Sequence, residues 1–226
     1  MVDYEKSTIQ LAFPTPSKIF TPFVTTALVL MIIGYALFHY ATVFTQDQLC
    51  LRTSAILRFK IWQFLTYPFI NGCPRSMIFN CFVVLFIGSS IEREWKTVSL
   101  VMLWLVVSVV CGLIWVLVKL IFPHNFIGLG TDSCAYGMIA AFGILYRKKR
   151  FIFFFWPAEA QVIALLVIGI GVVIGIGQPL SWIWVMGALV SYLYIKFIWQ
   201  WIINSPTKVR RSEDEHTRGS GFIDLD

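Results

Sequence analysis

The chain has 226 residues, 58% hydrophobic and only 13% charged, with a mean hydropathy of +0.77. That composition excludes a water-soluble globular domain, and the length exceeds one membrane crossing, so the chain reads as a polytopic membrane protein. Its net charge of +6 reports topology and contact with anionic lipid rather than nucleic-acid binding.

Residues 1–19 hold Asp3, Glu5, Pro14 and Pro16 without a basic start or a small-residue cleavage site, and are expected to form a cytoplasmic segment, not a removable signal. A backbone in hydrocarbon must satisfy its own polar groups, which favours helices of roughly 20 apolar residues. Apolar runs predict six such spans, at about residues 20–43, 76–91, 98–121, 131–146, 152–174 and 180–203. They make one all-α membrane domain, residues 20–203, followed by a polar cytoplasmic tail, residues 204–226. Lys6, Lys18, Arg93, Lys96, the run Arg147-Lys148-Lys149-Arg150, Lys208, Arg210, Arg211 and Arg218 fall on one side. Arg52, Arg58, Lys60 and Arg75 fall on the other, so the positive-inside rule puts both termini in the cytoplasm. The sequence does not distinguish a plasma (inner) membrane from the ER.

After the first span, Trp62-Gln63-Phe64-Leu65-Thr66-Tyr67-Pro68-Phe69 is too short to cross, and its aromatic residues place it at the interface. Ser76 and Asn80 follow at the head of the second span. Asn80 reads first as an interhelical hydrogen bond, usually worth under about 1 kcal/mol, and second as a donor that stabilises developing negative charge. The charges Glu92, Arg93, Glu94 and Lys96 read as a solvated helix end with Trp95 as its interface anchor.

The fourth span opens on Gly130-Thr131-Asp132-Ser133-Cys134-Ala135-Tyr136-Gly137, a polar stop within hydrocarbon. Gly128, Gly130 and Gly137 allow a helix start below the membrane surface, and the small residues Ser133, Gly137, Ala140 and Ala141 allow close helix approach. In the fifth span Gly171-x-x-x-Gly175 reads as packing rather than a movable gate, and Glu159 and Gln161 as interfacial. Trp182, Trp184, Trp199 and Trp201 mark the ends of the sixth. The cysteines Cys50, Cys73, Cys81, Cys111 and Cys134 have no metal-ligand spacing; only Cys50 and Cys73, both in the first outer loop, suit a disulfide. No metal or cofactor is expected.

These segments resemble the rhomboid intramembrane serine proteases. The family's Gly-x-Ser-Gly-Ala-x-x-Gly is similar to Gly130 through Gly137, with Asp132 at the nucleophile position. Trp62 through Phe69 resembles its Trp-Arg-x-Leu-Thr-x-x-Phe loop, with Gln63 for the arginine. Ser76 and Asn80 match its oxyanion-binding His-x-x-x-Asn, with serine for histidine. Gly88 through Trp95 looks like its Gly-x-x-Leu-Glu-x-x-x-Gly border, and Val185 through Ser191 like its His-x-Gly-Gly segment, with Val185 at the position of the base.

The resemblance covers about residues 20–203 and implies a six-helix rhomboid-like bundle. It also implies lost catalysis, because a serine needs a base within hydrogen-bond reach. If Ser133 were the nucleophile instead, the base would have to come from His39, His124 or His216, none of them suitably placed. The degenerate catalytic positions are therefore Asp132, Ser133 and Val185. The implied function is that of a pseudoprotease that binds or stabilises transmembrane or membrane-adjacent proteins, with Ser76, Asn80, Asp132 and Ser133 as candidate partner-binding residues. Two alternatives stand beside it: a structural subunit of a larger membrane assembly, and an active serine protease with a displaced dyad at Ser133. Asp132 itself has two readings, the N-cap of its helix or part of an outward-opening hydrophilic pocket with Asn80.

Overall fold

The computed structural model describes residues 20–40, 43–121, 128–147, 150–153, 156–176 and 182–199. The expected cytoplasmic segment 1–19 and tail 204–226 lie outside the described residues. The chain divides at Tyr192 into two units. The first holds nearly all that follows. In the second, the π-helix Tyr194–Trp199 sets the Lys196 ammonium 5.7 Å from the Phe197 ring centroid.

The fold is helical. Helix α1 spans Pro22–Tyr40, and the short helices α2 (Val43–Leu49), α3 (Thr53–Ile56) and α4 (Gln63–Thr66) build the loop after it, closed by a 3-10 turn at Tyr67–Phe69. Then α5 (Pro74–Val83) runs through a π-turn at Val84–Gly88 into α6 (Ser89–Ile121). Helices α7 (Thr131–Leu145), α8 (Ala160–Ile176) and α9 (Trp182–Leu193) complete it. Among the described residues two helical runs are long and apolar enough to cross a membrane, Pro22–Tyr40 and the 48-residue Pro74–Ile121, while Thr131–Leu145, Ala160–Val173 and Trp182–Phe197 are shorter apolar helices.

The long run is broken at Lys96, whose φ of 67° and ψ of 156° are non-helical. This is backbone that glycine adopts freely and other residues only under strain. It coincides with the last glycine of the border pattern Gly-x-x-Leu-Glu-x-x-x-Gly, where this chain has lysine. The break separates the second and third predicted spans.

Two expectations need correction. Apolarity predicts a fifth span that begins at residue 152, but Arg150–Phe153 (β1) and Trp156–Glu159 (β2) pair antiparallel, with Arg150 opposite Glu159 and Phe153 opposite Trp156. Aromatic residues with Ile152 suit a strand as well as a span, and Pro157 is compatible with a two-stranded edge but not with a helix interior. The helix therefore starts at Ala160, and the all-α reading carries this one exception among the described residues.

Glu92 is the second correction: it is 4% exposed and not a solvated helix end. It accepts hydrogen bonds from Phe23 N at 3.0 Å, Val24 N at 3.2 Å, Thr97 Oγ1 at 2.7 Å and Thr21 Oγ1. A carboxylate at the start of α1 satisfies N–H groups that have no partner within the helix, and it complements the positive end of the helix dipole.

Helix α7 forms the centre, buried at Thr131 and from Ser133 through Gly143, and it packs against α5, α6 and α8. Small side chains make this possible. The interface loop is held to its neighbours by hydrogen bonds rather than lying loose. Gln63, fully buried, donates to Asp47 O at 2.8 Å and accepts from Arg52 N at 3.1 Å, and Thr66 Oγ1 donates to Leu49 O at 2.9 Å. Tyr67 donates to Ser108 O, while Ser108 Oγ donates back to Phe64 O at 2.6 Å, tying the loop to α6.

Candidate functional site

Helices α5 and α7 bring the site together. Cys73 caps α5, its Sγ accepting from Ser76 N at 3.4 Å, and Pro74 starts the helix where a missing N–H costs nothing. Ser76 and Asn80 then lie one turn apart on one face. The N-cap of α7 is Gly130, which corrects the capping reading of Asp132: that residue is the second of the helix, and its side chain reaches across to α5. Gly130 is required because a Cβ there would lie 1.9 Å from the Tyr67 ring. The Thr131 hydroxyl donates to Ile70 O at 3.0 Å and fixes the helix start against the loop.

At the centre, Ser76 Oγ donates to Asp132 Oδ1 at 2.6 Å and Asn80 Nδ2 donates to the same oxygen at 2.8 Å. Asn80 Nδ2 also lies 3.1 Å from Ser76 Oγ and 3.0 Å from Asn71 Oδ1, so three acceptors surround two hydrogens. Asn71 and Asn80 are buried, at 1% and 0% exposure, whereas Ser76 and Asp132 are half-buried and form the accessible side. Asn71 Nδ2 and Asn80 Oδ1 are buried with no partner among the described residues. Sequence reasoning missed Asn71, since an asparagine before glycine in a loop reads as a turn; its burial follows only from the closeness of that loop to α7.

Ser133 does not join this cluster. It is 1% exposed, and its hydroxyl donates to Ile183 O of α9 at 3.3 Å. The contact depends on Gly187, where a Cβ would come within 1.9 Å of Ser133 O. Val185 is half-buried on α9 and offers no proton to exchange. His39 is exposed on α1, its ring 4.4 Å from that of Tyr35. His124 and His216 lie outside the described residues.

The elements packed on the site are as closely built. Gly171 of α8 makes room for Tyr136, whose hydroxyl would lie 2.5 Å from a Cβ there. Gln161 accepts from Arg147 Nε at 2.8 Å. Cys50 and Cys73, the one pair whose place in the sequence suits a disulfide, are free thiols, one buried and one exposed. Among the described residues no group of three His, Cys, Asp or Glu side chains could hold a metal ion.

The Rhomboid domain family model matches residues 58–201 of the chain. No curated protein matches it.

Proposed function

Because this chain belongs to the Rhomboid domain family, and is accordingly a membrane protein, we propose that it is a six-span, non-hydrolysing member that binds or stabilises other membrane proteins. The observation that carries this reading is the bonding of Asp132 to Ser76 and Asn80. At the position where the family resemblance puts a nucleophile stands an acid, held by the two side chains that would otherwise face an oxyanion. A carboxylate there repels the charge that develops in acyl transfer instead of stabilising it. The neighbouring hydroxyl of Ser133 donates to a peptide carbonyl, a group too weakly basic to take its proton. Val185 at the position of the base is a hydrocarbon.

What remains is a polar cluster in an apolar protein, half-buried at Ser76 and Asp132 and suited to a polar group on a partner's membrane segment. The six spans are the five helical runs with the longest divided at Lys96, and the excess of Lys and Arg places both termini in the cytoplasm.

Two measurements test the proposal. A serine-directed fluorophosphonate is expected to label the purified protein no more than it labels Ser133→Ala; labelling that this substitution abolishes would restore the protease reading. Asp132→Ala is expected to reduce recovery of co-purifying membrane proteins at an unchanged level of folded protein. A loss of folded protein alone would make Asp132 a structural residue.

A further inference from the structure

We propose that the polar cluster around Asp132 selects membrane segments carrying a lysine or arginine side chain in the outer half of the bilayer; this deepens the partner-binding reading above and rests on it. The polarity of the site follows from its own hydrogen bonds. An ionised carboxylate only accepts, so the Ser76 hydroxyl and one Asn80 amide hydrogen are both committed to Asp132 Oδ1. That fixes the orientation of the Asn80 amide: Nδ2 faces Asp132, and Oδ1 is left as a buried acceptor without a partner among the described residues. The other Asn80 hydrogen is shared between Ser76 Oγ and Asn71 Oδ1.

The site is therefore rich in acceptors. Besides Asn80 Oδ1 it has Asp132 Oδ2, which no hydrogen bond engages among the described residues. A carbonyl or anionic ligand would meet the Asp132 charge, whereas an ammonium or guanidinium supplies only donors. No cation among the described residues pairs with Asp132. Arg75, next to Ser76, is exposed and makes no such ion pair. Where it is ionised, an intramembrane carboxylate with no counter-charge among the described residues calls for a cation from outside.

Depth favours a side chain over a lipid headgroup. Helix α7 has 15 residues, about 22 Å of rise, and the exposed Arg147 just beyond its end marks the cytoplasmic interface. In a hydrocarbon core of about 30 Å Asp132 then lies below the outer headgroups. A lysine or arginine on a membrane segment reaches that level with its stem in hydrocarbon and its charge on the carboxylate.

The test uses the full-length protein in phosphatidylcholine nanodiscs, with a photo-crosslinkable leucine-based transmembrane peptide bearing one lysine near its outer end. Versions with leucine or acetyl-lysine at that position serve as probes. The lysine peptide is expected to crosslink roughly tenfold more than either neutral one, with Asp132→Asn bringing it down to their level. Equal yields from all three peptides on the unmodified protein would overturn cation selection while leaving partner binding intact. No yield from any peptide would remove both. The acetyl-lysine comparison needs no variant, so the result stands even where Asp132→Asn fails to fold. In a second set of nanodiscs that mix phosphatidylethanolamine with phosphatidylcholine, enrichment of phosphatidylethanolamine around the unmodified protein but not Asp132→Asn, without lysine preference, would give the site to a lipid amine and overturn the proposal.

Discussion

Two carboxylates in apolar surroundings, Glu92 and Asp132, are each held by hydrogen-bond donors from another element. Glu92 collects two backbone N–H groups and two hydroxyls, and so ties the start of α1 to the bend in α6. Glu92→Ala leaves those donors without an acceptor and is expected to cost about 2–3 kcal/mol, read as a lowered Tm in detergent. Glu92→Gln, keeping one acceptor oxygen, should fall between the two, and an unchanged Tm for Glu92→Ala would make the capping incidental. Cys50 lies in the loop after α1. Burial pushes its thiol from 9.0 up to about 11, with the Arg52 guanidinium pulling it down and Asp47 adding to the rise. A pKa raised on folding means that this group's contribution to stability is complete below pH 9.0 and is lost as the pH climbs through about 11. Near pH 8, iodoacetamide is expected to modify the exposed Cys73 and spare Cys50, which becomes reactive toward pH 11 or on unfolding; equal rates near pH 8 would contradict the burial argument.

The elements show where local chemistry and tertiary demand part company. Lys96 holds backbone that only glycine adopts without strain, a cost of about 1–3 kcal/mol. Glycine there would lose more chain entropy on folding, about 0.5–1 kcal/mol, so the strain term wins. Lys96→Gly is expected to stabilise the protein by about 1 kcal/mol, seen as a raised Tm with the α6 bend retained. A lower Tm would mean that the lysine side chain offsets the strain. The bend was legible only as a motif with its last glycine missing. The same limit explains Glu92: among Arg93, Glu94 and Lys96, charge pattern cannot reveal which side chain turns inward. The β1–β2 hairpin was hidden for another reason, since Phe151, Ile152 and Phe153 are as apolar as any span and hydropathy does not separate strand from helix. Pro157 was the available signal. By contrast, the head of α7 was readable, because Gly130, Ser133 and Gly137 are small where other chains press on them, and Asp132 and Asn80 are polar where the surroundings are not. Their pairing with Ser76 could be anticipated as membership of one site, but not as bonds, since only packing decides which donor reaches which oxygen.

At the scale of the molecule, the six-span reading requires that α7, α8 and α9, at 15, 17 and 12 residues, each cross. An α-helix of 15 residues rises about 22 Å, less than the roughly 30 Å of a hydrocarbon core. Local thinning of the bilayer or an end set below the surface bridges such a difference at modest cost, and the buried polar start of α7 suits the second. The resulting topology is a matter of parity. Cys73 follows the first span and the tail follows the sixth, so five crossings separate them and they must lie on opposite sides. A variant whose only cysteine is Cys73 is expected to react with a membrane-impermeant maleimide in intact cells. A cysteine-free background carrying Ser220→Cys should react only after permeabilisation. If both react in intact cells, the number of crossings between them is even and one short helix fails to span. If only Ser220→Cys reacts, six spans stand but the bias of Lys and Arg has been read from the wrong side. Cys73 is a sensitive reporter because it is exposed at the cap of α5, a few residues from Ser76, so the side on which it reacts is also the side from which Asp132 is reached.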